Sequence, residues 1–114
     1  MDFGFIDSTK YTGSITYTPV VAIKNAPTSG LWSFVSTGYA IGTRTFNMTS
    51  IPVLTDTGGN IVLLPQSMTL NYYQRVSGSY QQSDGSWAFP CASTLPTFTF
   101  GVGSSRIVVP SKFM

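Results

Sequence analysis

Short segments that alternate apolar and polar residues are the feature of this sequence that most constrains its fold. The clearest are residues 13–21, 97–102 and 106–109. An alternation of period two places every second side chain on one face of an extended chain, so each segment predicts a half-buried β-strand. Gly103-Ser104-Ser105 and Asp84-Gly85 predict hairpin turns between such strands.

Other stretches extend this pattern along the chain. Apolar or β-branched runs bounded by turn residues predict further strands, and clusters of Gly, Pro, Asn and Ser predict turns. The additional strands are predicted at residues 2–7, 31–36, 38–42, 51–55, 61–64 and 87–91, with a possible continuation of the sheet at 43–50, a turn at 7–10 and a loop at 24–30.

One segment changes period and predicts a short helix at residues 65–76. Met68, Tyr72 and Val76 are four residues apart and therefore share one helical face. Pro65 suits the first helical turn, and Gly78 suits a position just after the helix. The predicted fold class is all-β with one short α-helix, and the length predicts a single domain over residues 1–114.

Composition excludes several classes of function. Charged residues make up only 9% of the chain, and the six cations are scattered singly, which is not the clustered basic face of a nucleic-acid-binding protein. The apolar runs span about four residues, too few for a transmembrane helix. There is no histidine, so a His-based metal site or a Ser-His or Cys-His pair is excluded, and no cofactor is predicted.

Asp56 is the residue that most needs an explanation. It is one of four carboxylates, and it follows the apolar residues 51–54 and precedes the apolar run 61–64. If both flanks form buried strands, the carboxylate requires hydrogen bonds or a chemical role. Asp56-Thr57-Gly58 is also ordinary turn composition, in which the side chain accepts hydrogen bonds from the following backbone.

Two further residues carry specific hypotheses. Cys91 is the only cysteine, so it is either a buried free thiol or the partner of a cysteine outside this chain. Asn47-Met48-Thr49 is an N-glycosylation sequon, which matters only in the secretory pathway.

These segments, in this order, resemble the C-terminal lobe of pepsin-like aspartic peptidases, in particular the secreted fungal ones. The similarity covers essentially the whole chain, whereas an Asp-Thr-Gly triplet alone would be weak evidence of a relationship. The matching blocks are residues 3–7, 13–20, 31–34, 56–58, 61–65, 72–76, 89–91 and 95–98.

The resemblance implies a peptidase site in which two carboxylates share one proton and activate water. Each lobe of such an enzyme supplies one Asp, so Asp56 is the implied catalytic carboxylate. Thr57 is implied to hydrogen-bond to the opposite loop, and Gly58 lets the backbone approach that loop. The implied partner is a peptide or protein substrate, and the implied location is extracellular, although no signal peptide is visible.

The sequence departs from the family pattern at several points. It contains no second Asp-Thr-Gly or Asp-Ser-Gly triplet, and Gly59 stands where the family usually has a hydroxyl. The family lobe continues past the position of Met114, so we expect a truncated lobe that lacks its last strands and the disulfide partner of Cys91. Hydrolysis would then require a second Asp-bearing lobe from a homodimer, a strand-exchanged oligomer or a partner chain. The alternative is a secreted, non-catalytic protein that binds a protein partner.

Overall fold

The fold is a four-stranded antiparallel sheet, a short helix and a small hairpin. A computed structural model describes residues 4–22, 31–59 and 61–114. The strands and the helix are β1 (Ser33–Ile41), β2 (Asn47–Leu54), α1 (Gln66–Tyr73), β3 (Tyr80–Gln81), β4 (Trp87–Ala88), β5 (Phe98–Val102) and β6 (Ser105–Val109), and single 3-10 turns span Ser8–Lys10 and Ser111–Phe113. The predicted class, all-β with one short helix, is confirmed.

The main sheet has the strand order β2-β1-β5-β6. β1 is one strand where the sequence predicted two, and its register with β2 shifts between Ser36 and Gly38. Gly38 has a φ of +144°, and a Cβ there would lie 2.1 Å from the Asn47 carbonyl oxygen. Only glycine fits such a close approach, so a bulge continues the strand past Gly38 rather than ending it.

The core lies between the helix and the sheet. Met68 and Tyr72 are buried on one face of α1 together with Ile41 and Phe98. The helix is shorter than the predicted residues 65–76, because it ends at Tyr73, and Val76 joins the core from the turn that follows. The Tyr72 hydroxyl donates a hydrogen bond to the Pro96 carbonyl oxygen at 2.8 Å. Burial raises the pKa of Tyr72 to about 12, so the hydroxyl remains protonated as a donor at neutral pH.

The β3–β4 hairpin forms a second, two-stranded sheet beside the helix. The rings of Tyr73 and Trp87 stack with centroids 4.9 Å apart, which joins the hairpin to α1. The Asp84-Gly85 turn is where the sequence predicted it, and Gly85 has a φ of +87°. The strand predicted at residues 87–91 is shorter than expected, because only Trp87 and Ala88 pair with β3.

Three further predicted strands are wrong or incomplete. Residues 61–64 form no strand, and the side chains of Ile61 and Leu63 are 70% and 84% exposed. Residues 13–21 form no strand, although the Val21 N–H donates to the Ser33 carbonyl oxygen in β1 at 2.9 Å, and residues 4–7 are irregular before the 3-10 turn. An apolar or alternating segment becomes a strand only where a neighbouring backbone offers a series of hydrogen bonds, and in the described ranges none of these segments forms such a ladder.

Two remaining expectations concern other parts of the chain. The loop predicted at residues 24–30 and the start of the segment 2–7 lie outside the described residues. Among the described helices, none is long and apolar enough to cross a membrane.

Candidate functional site

Asp56 lies in a turn immediately after the edge strand β2. The Thr55 N–H donates to the Trp32 carbonyl oxygen at 2.8 Å, which extends the β1–β2 pairing by one residue beyond Leu54. The chain then turns, and the Gly58 N–H donates to Asp56 Oδ1 at 2.8 Å. This backbone contact holds the carboxylate at the end of the sheet edge.

The two glycines after Thr57 leave space around the carboxylate. A Cβ at Gly58 would lie 3.3 Å from Asp56 Oδ1, and a Cβ at Gly59 would lie 3.3 Å from Oδ2. Both distances are tighter than ordinary van der Waals contacts, so side chains at these positions would crowd the two oxygens. Their absence leaves Oδ2 accessible from the side of the turn.

The carboxylate is exposed, and so are the residues on both of its flanks. Leu54 is 45% exposed and Ile61 is 70% exposed. The expectation that Asp56 lies between two buried strands is therefore wrong, because the second strand does not form. Asp56 thus retains contact with water, and burial alone gives no reason to expect a chemical role.

Thr57 is exposed beside Asp56. Within the part of the chain that the structure describes, its hydroxyl forms no hydrogen bond, and Gly58 supplies the one hydrogen bond to the Asp56 carboxylate. The structure therefore brings Asp56, Thr57 and Gly58 together in one open turn. Their catalytic roles, and the bond from Thr57 to an opposite loop, remain predictions.

An apolar groove of about 330 Å³ lies between the segment after this turn and the helix. Its lining residues are Ile61, Val62, Leu64, Thr69, Tyr72, Tyr73, Phe113 and Met114. Sequence reasoning assigned residues 61–64 to a buried strand and missed this groove. The sequence feature that could have indicated the groove is the apolar pair Phe113-Met114, which lies outside every predicted strand and helix.

Cys91 and Asn47 lie elsewhere on the surface. Cys91 is a free, exposed thiol, so the first of the two alternatives, a buried free thiol, is wrong, and a partner outside this chain stays a prediction. It follows Pro90 in the irregular segment after β4, where few side chains cover it. Asn47 is exposed at the start of β2.

Groups of ligands for a metal ion do not occur in the described ranges. No three side chains of His, Cys, Asp or Glu lie close enough together there to hold a cation. The described carboxylates other than Asp56 are Asp7 and Asp84, each in its own surface turn. Among the described carboxylates, Asp56 is therefore the one whose turn is not closed by a hydroxyl.

Comparisons with known proteins agree on the relationship. The family model of the eukaryotic aspartyl proteases matches residues 1–114. The chain is 49% identical over 114 residues to endothiapepsin from Cryphonectria parasitica, and 42% identical over 114 residues to podosporapepsin from Podospora anserina. It is also 42% identical over 114 residues to penicillopepsin-3 from Penicillium janthinellum.

Each of these similarities covers 99% of this chain, but only 26–28% of the relative. The chain therefore spans about a quarter of the length of the relatives that it matches. A match of this extent to one family, together with an antiparallel β fold and one helix, shows that the chain belongs to the eukaryotic aspartyl protease family.

Proposed function

We propose that residues 1–114 supply one half of an aspartic endopeptidase site, with Asp56 as its acid/base carboxylate. The observation that carries the proposal is the open turn. Asp56 is held by the Gly58 N–H at 2.8 Å, while the neighbouring glycines leave Oδ2 uncovered. A carboxylate that is fixed on one oxygen and open on the other can face a second carboxylate.

Peptide hydrolysis of this kind requires two carboxylates, because the proton must be shared. Two such groups within a few Å cannot both ionise, so one is protonated while the other removes a proton from water. The protonated group can donate to the carbonyl oxygen of the peptide as water attacks the carbonyl carbon. Asp56 alone cannot perform both parts, so a second Asp must come from outside residues 1–114.

The second Asp has two candidate sources, a separate Asp-bearing lobe or a second copy of this chain. Two-fold symmetry would bring the same Asp56 from each copy to one axis. Exposed apolar side chains next to the turn support an association there, because contact would remove them from water. These side chains are Leu54, Ile61, Val62 and Leu63.

The location proposed for this activity is extracellular. Only 9% of the residues are charged, and the strands are rich in Ser, Thr and aromatic residues. That composition is more typical of extracellular β proteins than of cytosolic ones.

The test measures hydrolysis and association in the same samples. The cleavage rate of an unfolded protein substrate is followed from strongly acid to neutral pH over a series of concentrations, with molar mass from light scattering. A homodimeric site predicts a rate that rises with the square of the concentration while the chain is mostly monomeric. A separate lobe predicts a rate that rises in proportion to an added lobe with the other Asp triplet. A pepstatin-type inhibitor should remove either activity.

No hydrolysis in any of these mixtures would overturn the peptidase proposal. A second candidate function, a non-catalytic binding protein, then gains support from Gly59. This residue has no hydroxyl to donate to Asp56, so the turn lacks a contact that the family pattern usually includes. A stable complex with another protein, unchanged by Asp56→Asn, would favour that candidate.

A further inference from the structure

The sequon Asn47-Met48-Thr49 lies on an outer edge of the main sheet. Of the four asparagines in the chain, only Asn47 is followed by Thr or Ser at the second position. Asn47 is the first residue of β2, and β2 is an edge strand in the order β2-β1-β5-β6. Asn47 and Thr49 are both exposed.

The Asn47 side chain has no structural role among the described residues. Its amide forms no hydrogen bond there, whereas its backbone pairs with Tyr39 and its carbonyl oxygen approaches Gly38. The backbone therefore holds the start of β2 in place. A large group on the side-chain nitrogen would displace no contact of the fold.

We propose that Asn47 carries an N-linked oligosaccharide. The donor is a polyprenyl-diphosphate-linked oligosaccharide, the class of sugar donor that the sequon serves in the secretory pathway. The Asn47 Nδ2 forms a bond to the anomeric carbon of the first sugar as the bond from that carbon to the diphosphate oxygen breaks. The lipid diphosphate leaves with the electron pair, Nδ2 loses one proton, and nothing is oxidised or reduced. The proposal rests on the extracellular location proposed above.

A glycan at the start of the edge strand β2 would affect how this chain associates with other chains. Edge strands present unpaired N–H and C=O groups that can pair with another chain. In the second half of β2, Pro52 lacks an N–H and interrupts such pairing. In the first half, the bulk of a glycan on Asn47 would hinder the approach of another chain to this edge. The glycosylated chain would then associate through surfaces other than the β2 edge.

The test uses the 114-residue chain behind a cleavable secretion signal in yeast or insect cells. Occupancy is read by mass spectrometry after an amidase releases the glycan and converts the modified Asn47 to an aspartate, in both the cell extract and the medium. We expect modification of the wild-type chain and its loss to background in Asn47→Gln and Thr49→Ala. Thr49→Ser keeps the sequon and should keep the glycan.

Thr45→Ala is the matched control, because Thr45 is an exposed threonine two residues before Asn47 and outside the sequon. It should leave occupancy unchanged. An unmodified Asn47 in both extract and medium would overturn the proposal, as would an equal loss in Thr45→Ala. Enzymatic removal of the glycan should increase self-association in light scattering, and unchanged association would overturn the shielding of the β2 edge. None of these measurements depends on peptidase activity.

Discussion

The Asp56 turn and the Asp84 turn share the same backbone hydrogen bond to the carboxylate but differ in the side-chain hydrogen bond to it. In each, Oδ1 accepts a hydrogen bond from the N–H two residues later, from Gly58 at 2.8 Å and from Ser86 at 2.9 Å. Ser86 also donates its hydroxyl to Asp84 Oδ1 at 2.7 Å. Gly58 has no side chain to do so, which leaves the Asp56 turn open.

This second hydrogen bond changes the pKa of the Asp84 carboxyl. The Ser86 hydroxyl, followed by the Ser86 N–H, lowers the pKa of Asp84, because both favour the charged form. Asp7 repeats the closed arrangement, and the Thr9 hydroxyl at 2.7 Å lowers its pKa in the same way. A carboxylate stabilised as an anion by its own turn is a poor partner for sharing a proton. The open turn leaves Asp56 to interact with a group from outside.

The largest expected effect is the loss of activity in Asp56→Asn. In an active homodimer or complemented site, this change should lower the hydrolysis rate by about 10⁴-fold or more, the scale for removing one member of a catalytic set that acts as a unit. Asp84→Asn is the matched control, since it alters an exposed Asp in the same kind of turn. Rates at saturating substrate are compared for both variants. If Asp56→Asn and Asp84→Asn lowered the hydrolysis rate equally, the proposed difference in role between the two turns would be contradicted.

The elements that could be predicted from sequence are those whose partners are local. The helical face of Met68 and Tyr72 depends on spacing within one segment, and it is confirmed, although the helix ends at Tyr73 and Val76 is buried from the turn that follows. The β5–β6 hairpin depends on a turn at Gly103, whose φ of +55° suits glycine. In both cases the residues that decide the structure lie within a few positions of each other.

The elements that could not be predicted depend on distant neighbours. The bulge in β1 arises because Gly38 meets the Asn47 carbonyl oxygen, a contact that no local pattern contains. Residues 61–64 have the composition of a buried strand, but composition does not specify a pairing partner. For the site, the sequence predicted the Asp56 turn as one of two explanations. It did not show that the flank at 61–63 is exposed or that an apolar groove lies there.

A smaller effect is expected when the open turn is closed. Gly58→Ser places a hydroxyl where Ser86 stands relative to Asp84, and its Cβ would lie 3.3 Å from Asp56 Oδ1. A hydrogen bond to a charged group contributes about 1.5–3 kcal/mol, so the rate of the assembled site should fall by about 10- to 100-fold. Gly58→Ala adds the Cβ without the hydroxyl, so it should lower the rate less than Gly58→Ser does. If Ala and Ser lose activity equally, crowding rather than the hydrogen bond closes the turn.

The smallest effect is expected when the closed turn is opened. Ser86→Gly removes the hydroxyl that donates to Asp84 and should raise the pKa of the Asp84 carboxyl towards its ordinary value. A lowered pKa in the folded state contributes stability above the ordinary pKa of Asp, and this is lost as the pH falls through the lowered value. The stability difference between wild type and variant should therefore shrink in acid. Carboxyl carbon shifts measured by NMR against pH give the change directly, with Asp7 as the internal control because its Thr9 contacts are untouched. An unmoved Asp84 titration would mean that the hydroxyl does not distinguish the closed turns from the open one.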